Sequence, residues 1–274
     1  MLHQEASMQY LYETHLHTIP ASACSTTQGQ DYIKPYIDAG YAGIMVTDHF
    51  LHGNCGIDRS LPWREFVNRF CEGYENARNE GEKHHFSVFF GWEETFDGDD
   101  YLVYGLDKSW LFDHPEVKDW TRKTQYTEVH KYGGCVVQAH PFREAYYIHG
   151  IHLNPYLVDA VEGFNAGNQH AWNIAGMHYA QLTGLPITAG SDNHHADQMC
   201  KDNLAGVIFN QPLTSLRDYI DAILTRKPFD IHLPHPLPEW DETVRPGLPA
   251  FLTEADGTEH PVDAISLLST GFRG

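Results

Sequence analysis

Two histidines separated by one residue follow the first strand-like run of the sequence, in YLYETHLHTIP at positions 10–20. Because side chains alternate between the two faces of an extended chain, His15 and His17 are expected to point the same way and could bind one cation together. Neutral imidazole is the commonest metal-binding side chain. With 19 histidines in 274 residues, an ordinary surface or core pair is an equally good interpretation of this motif alone.

Metal-binding residue types also stand beside the other strand-like runs. Each apolar run comes first and the polar residues follow at its carboxyl end, except for one aspartate that stands just before its run. These residues are Asp48, His49, Glu93, Asp100, His140, Asp192 and His194. In parallel α/β barrels the carboxyl ends of the strands meet at one face, where active sites are built. The pattern therefore predicts one metal-binding cavity formed by distant parts of the chain.

Such a cavity favours hydrolytic chemistry that uses more than one ion. Glu93 could bridge two ions held about 3.5–4 Å apart, so that a hydroxide and a substrate oxygen are shared between them. Taken singly, these residues have simpler interpretations: Asp48 could cap a helix, and Glu93 with Glu94 could form a solvated acidic edge. Their shared position at the strand ends is what favours a metal site.

Strand-like runs alternate with longer helical segments, which is typical of repeated βα units. The predicted strands are MQYLYETH, AGIMVTDH, FSVFFGWE, DYLVYGL, GCVVQAH, AVEGFN, PITAGSD and LAGVIFN. The predicted helices are QDYIKPYIDAG, PWREFVNRFCEGYENARNEG, TQYTEVHKYGG, HAWNIAGMHYAQLTG and TSLRDYIDAILTRK. After about residue 228 the sequence is rich in proline and shows little helical periodicity. We therefore predict a barrel domain over residues 1–228 and a C-terminal extension over residues 229–274 that packs on it.

Charge and composition restrict the possible partners. The chain has 18 Lys+Arg against 37 Asp+Glu, and its net charge of -19 disfavours nucleic-acid polymers and anionic membrane surfaces. No apolar run is long enough for a membrane span, and the amino terminus lacks the basic start and apolar stretch of a secretory signal. The five cysteines show no paired spacing and are interpreted as reduced thiols. These features predict a soluble, cytoplasmic protein that acts on a small molecule.

With these motifs in place, the sequence resembles the PHP (polymerase and histidinol phosphatase) superfamily of metal-dependent phosphoesterases. The matching motifs are THLHT, VTDHF, GWE, QAHPF and GSDNH, in this order between about residues 10 and 195. The resemblance implies a distorted, TIM-like α/β barrel of seven βα units. It also implies two or three divalent ions, zinc, manganese or iron, at the carboxyl ends of the strands. It does not cover the C-terminal extension.

The resemblance further implies a ligand set. The ligands would be His15, His17, Glu93 and Asp192 for the first metal and catalytic centre; Glu93, Asp100 and His140 for the second metal; and His49 and His194 for a third. Asp100 stands where many relatives have a histidine, and an oxygen ligand there suits a harder cation. For the third metal, relatives supply a histidine or aspartate from the loop after His17, where this chain has Ser22 and Ala23. Cys24 could replace that ligand as a thiolate or be a small buried residue, so the third ion is expected to be thiolate-bound, weakly held or absent.

The implied activity is hydrolysis of a small-molecule phosphate ester, as a phosphatase or phosphodiesterase, with a bridging hydroxide as the nucleophile. Arg143 is the candidate for binding the substrate phosphate, although a surface pair with Glu144 explains it nearly as well. Asn165 and Asn168 could bind substrate, orient the metal ligands or cap the following helix. The proton donor to the leaving group stays open among His52, His149, His152 and His195.

Two other functions compete with this interpretation. A metal-dependent amidohydrolase also begins with His-x-His and ends with a strand-terminal aspartate, but the TDH and SDNH motifs and the lack of a lysine at an early strand end argue against it. A metal-binding regulatory module without turnover is disfavoured because structural zinc sites are usually closed cages of four ligands.

Overall fold

The computed structural model describes residues 8–271. Residues 1–7 and 272–274 lie outside this range. The prediction that the amino terminus lacks a secretory signal falls partly on the first of these segments, and the predicted extension includes the second. The strands are β1 (Tyr10–Glu13), β2 (Tyr41–Val46), β3 (Ser87–Phe96), β4 (Asp99–Tyr104), β5 (Cys135–Gln138), β6 (Ile151–Leu153), β7 (Ala160–Asn165), β8 (Ile187–Gly190), β9 (Gly206–Phe209), β10 (Asp230–His232), β11 (Ala250–Thr253) and β12 (Glu259–Val262). The α-helices are α1 (Ile33–Asp38), α2 (Trp63–Phe70), α3 (Glu72–Lys83), α4 (Lys108–Asp113), α5 (Arg122–Lys131), α6 (His170–Thr183), α7 (Leu216–Leu224) and α8 (Ala264–Thr270).

One sheet curls into a nearly closed barrel. Its strand order is β10-β9-β1-β2-β3-β4-β5-β7-β8. The segment that follows β8 runs beside the segment that follows β1, where Asp192 N donates to His15 O (2.9 Å) and His17 N donates to Asn193 O (2.9 Å). In β2, the consecutive residues Ile44, Met45 and Val46 are all buried, as expected for a strand covered on both faces. The predicted distorted α/β barrel is confirmed.

Two barrel strands run against the direction expected for repeated βα units. β3 and β4 form an antiparallel hairpin, and β9 is antiparallel to β1. Between β3 and β4 only Asp97 and Gly98 intervene, both with positive φ (54° and 94°), whereas a parallel connection needs a crossover of a dozen or more residues. Because β4 is reversed, its first residues, and not its last, lie at the carboxyl end of the barrel.

The predicted strands and helices are present, with local differences. The segment predicted as one long helix is divided at Cys71 into α2 and α3. Pro35 lies in the first turn of α1, where its missing N–H costs no helical hydrogen bond. β3 continues to Phe96, three residues beyond Glu93. A short strand, β6, was not predicted, because three residues are too few to show a periodic pattern.

The C-terminal segment contacts the barrel at several places. β10 pairs with β9 of the barrel sheet, while β11 and β12 form a separate small sheet with β6. Arg122, whose side chain is 13% exposed, contacts Asp97 of the hairpin (3.0 Å) and Glu259 of β12 (3.5 Å). The domain boundary at residue 228 stays a prediction. Within residues 8–271, every helix is too short or too polar to cross a bilayer.

Candidate metal centre

The four residues predicted to hold the first metal converge at the carboxyl end of the barrel. Nε2 of His15 and Nε2 of His17 lie 3.0 Å apart. Asp192 Oδ1 lies 3.5 Å from the first of these nitrogens and 3.1 Å from the second. Glu93 approaches both rings, with Oε1 at 3.1 Å from His15 Nε2 and Oε2 at 3.5 Å from His17 Nε2. Their ligand atoms therefore surround one position.

Glu93 also faces the residues predicted for the second metal. His140 Nε2 lies 3.3 Å from Glu93 Oε1 and 3.8 Å from Asp100 Oδ2. Asp100 reaches this position because the β3–β4 hairpin pairs it with Thr95, whose hydroxyl donates to Asp100 Oδ1 (2.5 Å). Glu93 thus lies between two groups of ligands, which is the position required of a bridging carboxylate.

His49 and His194 lie on the outer side of the same cluster. Single ligand atoms of His17, His49 and His194 all lie within 4.8 Å of one another. Glu93 Oε2 is only 2.7 Å from His49 Nδ1. Both atoms are buried, yet neither has a hydrogen-bond partner of good geometry within residues 8–271. Close, unsatisfied ligand atoms of this kind fit a cation between them.

The outer nitrogens of three histidines are held by oxygen atoms. His15 Nδ1 lies 2.9 Å from Glu162 Oε1, His17 Nδ1 lies 3.0 Å from Ser22 Oγ, and His194 Nδ1 lies 2.8 Å from the Asp192 carbonyl oxygen. The Ser22 hydroxyl donates to Asp48 Oδ1 (2.7 Å), so it accepts from His17. When Nδ1 carries the proton, Nε2 offers its lone pair, which is the arrangement of metal-binding histidines.

Glu162, inside β7, is a site residue that the sequence analysis missed. Its side chain is fully buried; Oε1 contacts His15 Nδ1, while Oε2 accepts from the backbone N–H of His140 (3.1 Å) and from Asn165 Nδ2 (2.9 Å). One carboxylate therefore orients a ligand of each of the first two groups. The signal was a single glutamate within the apolar run AVEGFN, because glutamate is rarely buried without a partner.

Replacing Glu162 with glutamine is expected to weaken metal binding by about 10- to 100-fold, since the charge that supports His15 is lost while the size is kept. The affinity is measured by titrating chelator-treated protein with zinc in competition with a coloured chelator. Glu144→Gln is the matched control, because this partly exposed carboxylate lies outside the cluster and accepts a hydrogen bond from Gly247 N (2.6 Å) in the C-terminal segment. Equal affinities in the two variants would contradict the positioning role.

Neighbouring charges keep the carboxylates of the cluster ionised. Burial by itself raises the pKa of Glu93, but two neighbouring imidazoles lower that pKa well below its ordinary value. Burial likewise raises the pKa of Asp192, but the Arg143 guanidinium and the neighbouring histidines together lower that pKa well below its ordinary value. Burial and the two outer histidines lower the pKa of His17 well below its ordinary value. Anionic carboxylates and a neutral imidazole are the forms that bind a cation.

Two candidate ligands have backbone conformations that are uncommon for residues other than glycine. The φ angle is 27° at His140 and 55° at Asp192. Such conformations cost of order 1–3 kcal/mol each and persist only where the surroundings enforce them. Here the backbone N–H of His140 is held by Glu162, and that of Asp192 by the carbonyl oxygen of His15. Strain of this kind is concentrated at functional sites.

Arg143 pairs with Asp192 and not with Glu144. Its Nη2 donates to Asp192 Oδ2 (2.5 Å) and to Asn165 Oδ1 (3.1 Å), and its Nε donates to Asn168 Oδ1 (2.8 Å). No group in the described range 8–271 accepts a hydrogen bond from Nη1. The pairing occupies Asp192 Oδ2 and leaves Oδ1 facing the histidines, while the two N–H groups of Nη1 stay available to a ligand.

The four histidines considered as proton donors are not brought into the cluster. His149 is exposed. The other rings face residues outside the ligand groups: His52 faces Glu94 (3.2 Å), His152 faces Glu259 (2.6 Å) and His195 faces Thr26 (2.8 Å). The structure therefore selects none of them for leaving-group protonation.

Comparison with protein-family models finds no match, and comparison with curated proteins finds none. Solved structures do match. A two-domain protein from Bacteroides vulgatus ATCC 8482, described as containing a predicted PHP-like metal-dependent phosphoesterase, matches with a TM-score of 0.58 and 14% identity. The chain has a PHP-like fold. The match covers 82% of this chain and 65% of the length of the Bacteroides protein.

A second solved structure also matches the fold of this chain. PsfC from Pseudomonas syringae PB-5123 matches with a TM-score of 0.51 and 14% identity, over 82% of this chain and 91% of PsfC. The resemblance inferred from the sequence motifs is thereby confirmed at the level of the fold. In the PHP-like barrel of this chain, the buried clusters of histidine, aspartate and glutamate at the strand ends are consistent with a metal site.

Proposed function

We propose that the protein is a metal-dependent hydrolase of small-molecule phosphate esters. The observation that carries this proposal is the position of Glu93, whose Oε1 lies 3.1 Å from His15 Nε2 and 3.3 Å from His140 Nε2. A carboxylate between two groups of ligands can serve two divalent ions at once. The proposed catalytic residues are His15, His17, Glu93 and Asp192, and the further ligands are His49, Asp100, His140 and His194.

Bound divalent ions would supply positive charge for the phosphoryl oxygens and lower the pKa of a water molecule. Mixed imidazole and carboxylate ligands accept zinc, manganese or iron. The side chains of His15, His17 and Glu93 are at most 1% exposed, so bulk water does not screen the charges at the centre. Local positive charge is needed because the chain as a whole carries a net charge of -19, which repels an anionic substrate.

Arg143 is the residue that we propose to bind the substrate phosphate. Its guanidinium is held in place through Nε and Nη2, so the Nη1 donors are oriented before a ligand arrives. An arginine fixed in this way loses little side-chain entropy when it binds a phosphate oxygen. Its side chain is 19% exposed, which leaves access from solvent.

The competing functions receive less support. None of the lysines within residues 8–271 is buried, so the described part of the chain offers none as a carbamylated bridging ligand of an amidohydrolase. A closed structural zinc site would exclude solvent, whereas the His49 and His194 side chains are 14% and 20% exposed. The first observation disfavours an amidohydrolase, and the second disfavours a closed structural site.

The proposal is tested with chelator-treated protein reloaded with zinc, manganese or iron. We expect release of nitrophenol from nitrophenyl phosphate or bis(nitrophenyl) phosphate, and loss of this activity in His17→Ala. The matched control is His84→Ala, because His84 lies on the surface beside Glu80. Turnover of amides or lactones without turnover of phosphoesters would contradict the proposal, as would full activity in His17→Ala.

A further inference from the structure

The loop that carries Cys24 is held between the segments that carry the two outer histidines. On one side, Ala23 N donates to the carbonyl oxygen of Asn54, in the loop after His49 (2.9 Å). On the other side, Thr26 N donates to the carbonyl oxygen of His194 (3.1 Å). These backbone hydrogen bonds place Cys24 at the outer edge of the cluster.

The side chain of Cys24 interacts with both outer histidines, His49 and His194. Cys24 is also partly exposed, whereas Cys55, Cys71 and Cys135 are buried. A cysteine that only fills core space would be buried among apolar groups. Cys24 instead lies at the solvent edge of the cluster, beside two imidazoles that are themselves 14% and 20% exposed.

An independent feature points to a cation beside these residues. The Oε2 atom of Glu93, in a side chain that is 1% exposed, has no hydrogen-bond partner within the described residues. It lies 2.7 Å from His49 Nδ1 and 3.5 Å from His17 Nε2. A buried carboxylate oxygen without a partner is costly, and a bound cation would remove that cost.

Ser22, which precedes Cys24 in the same loop, is already fully engaged. Its hydroxyl donates to Asp48 Oδ1 (2.7 Å) and accepts from the backbone N–H of His49 (3.0 Å) and from His17 Nδ1 (3.0 Å). It therefore serves to position the histidines. Cys24 is the residue of this loop whose side chain can still act as a ligand.

We propose that Cys24, as a thiolate, binds an additional zinc ion together with His49 and His194. This inference rests on the proposed metal centre, to which the additional site is adjacent. Thiolate and imidazole ligands favour zinc, whereas the carboxylate-rich position between Glu93 and Asp100 accepts harder ions. The centre is therefore of mixed character, with its softest position at the exposed edge.

Cobalt(II), which can replace zinc at such positions, provides a test that does not depend on activity. Titration of chelator-treated wild-type protein is expected to give visible ligand-field bands and, in addition, a near-ultraviolet thiolate-to-cobalt charge-transfer band. Cys24→Ser and Cys24→Ala should keep the visible bands, lose the near-ultraviolet band and bind one cobalt fewer per chain. Cys200→Ser is the control, because Cys200 is an exposed thiol outside the cluster, and it should behave as wild type.

The outcomes separate this inference from the proposal on which it rests. A near-ultraviolet band that persists in both Cys24 variants, or that is missing in wild-type protein showing the visible bands, would overturn the role of Cys24 and leave the metal centre standing. Absence of all cobalt bands in wild-type protein would overturn the metal centre and this inference together. The visible bands of the variants also report that the barrel is folded.

Discussion

Glu93→Gln is expected to lower kcat/KM for a phosphoester by about 1000-fold, the upper end of the loss caused by removing one preorganised electrostatic group. Glutamine keeps the size of the side chain but removes the charge that faces His15 (3.1 Å), His49 (2.7 Å) and His140 (3.3 Å). A neutral amide is a poor bridging ligand, so metal content per chain should fall as well. Kinetics on nitrophenyl phosphate and elemental analysis of the same preparation measure both effects.

The matched control for this prediction is Glu94→Gln, the same substitution one residue further along β3. Glu94 is also buried (2% exposed), but its carboxylate accepts from the backbone N–H groups of His52 (2.8 Å) and Thr95 (3.0 Å) on the other side of the strand. Glutamine can accept these bonds through its carbonyl oxygen, so activity and metal content should stay near wild type. If Glu93→Gln retained wild-type activity and metal content, the proposed bridging role of Glu93 would be wrong.

Arg143→Lys is expected to lower kcat/KM by about 10- to 100-fold, chiefly through KM, because a charge-assisted hydrogen bond contributes about 1.5–3 kcal/mol. Lysine keeps a positive charge near Asp192 but lacks the planar fork that holds Asn165, Asn168 and Asp192 at the same time. Metal content should therefore change little while phosphate binding weakens. The measurements are KM, kcat and inhibition by inorganic phosphate.

Arg217→Lys is the control for this substitution, because Arg217 is an exposed arginine that pairs with Asp221 on α7 (2.6 Å). Its kinetic constants should equal those of wild type. A loss of metal from Arg143→Lys without any change in KM would show that Arg143 only orients Asp192. The role in substrate binding would then be wrong.

The identity of the candidate ligands could be predicted from the sequence because side-chain type and position at a strand end are local properties. His15, His17, Glu93, His140 and Asp192 each stand next to an apolar run, and the alternation of strand-like and helical segments indicated the α/β barrel. Because strands of such a barrel are held in parallel by their crossovers, their carboxyl ends must meet. The convergence seen in the structure follows from this constraint.

The partners of these residues were decided by the tertiary structure. Asp100 reaches His140 only because β4 is reversed, and an apolar run carries no information on its direction. Glu162 lies in the middle of a strand, and its contact with His15 joins residues 147 positions apart. Glu144 is next to Arg143 in the sequence, but in the structure Arg143 Nη2 pairs with Asp192 Oδ2 (2.5 Å).

These pairings depend on the register between strands and on the closure of the barrel, where the segment after β8 meets the segment after β1. Such contacts are made between distant parts of the chain, and neither periodicity nor motif spacing specifies them. The sequence by itself thus determined the class of fold and the chemical types at the strand ends. The tertiary structure decided which atoms face each other, because a shift of register by one residue would turn each side chain to the opposite face.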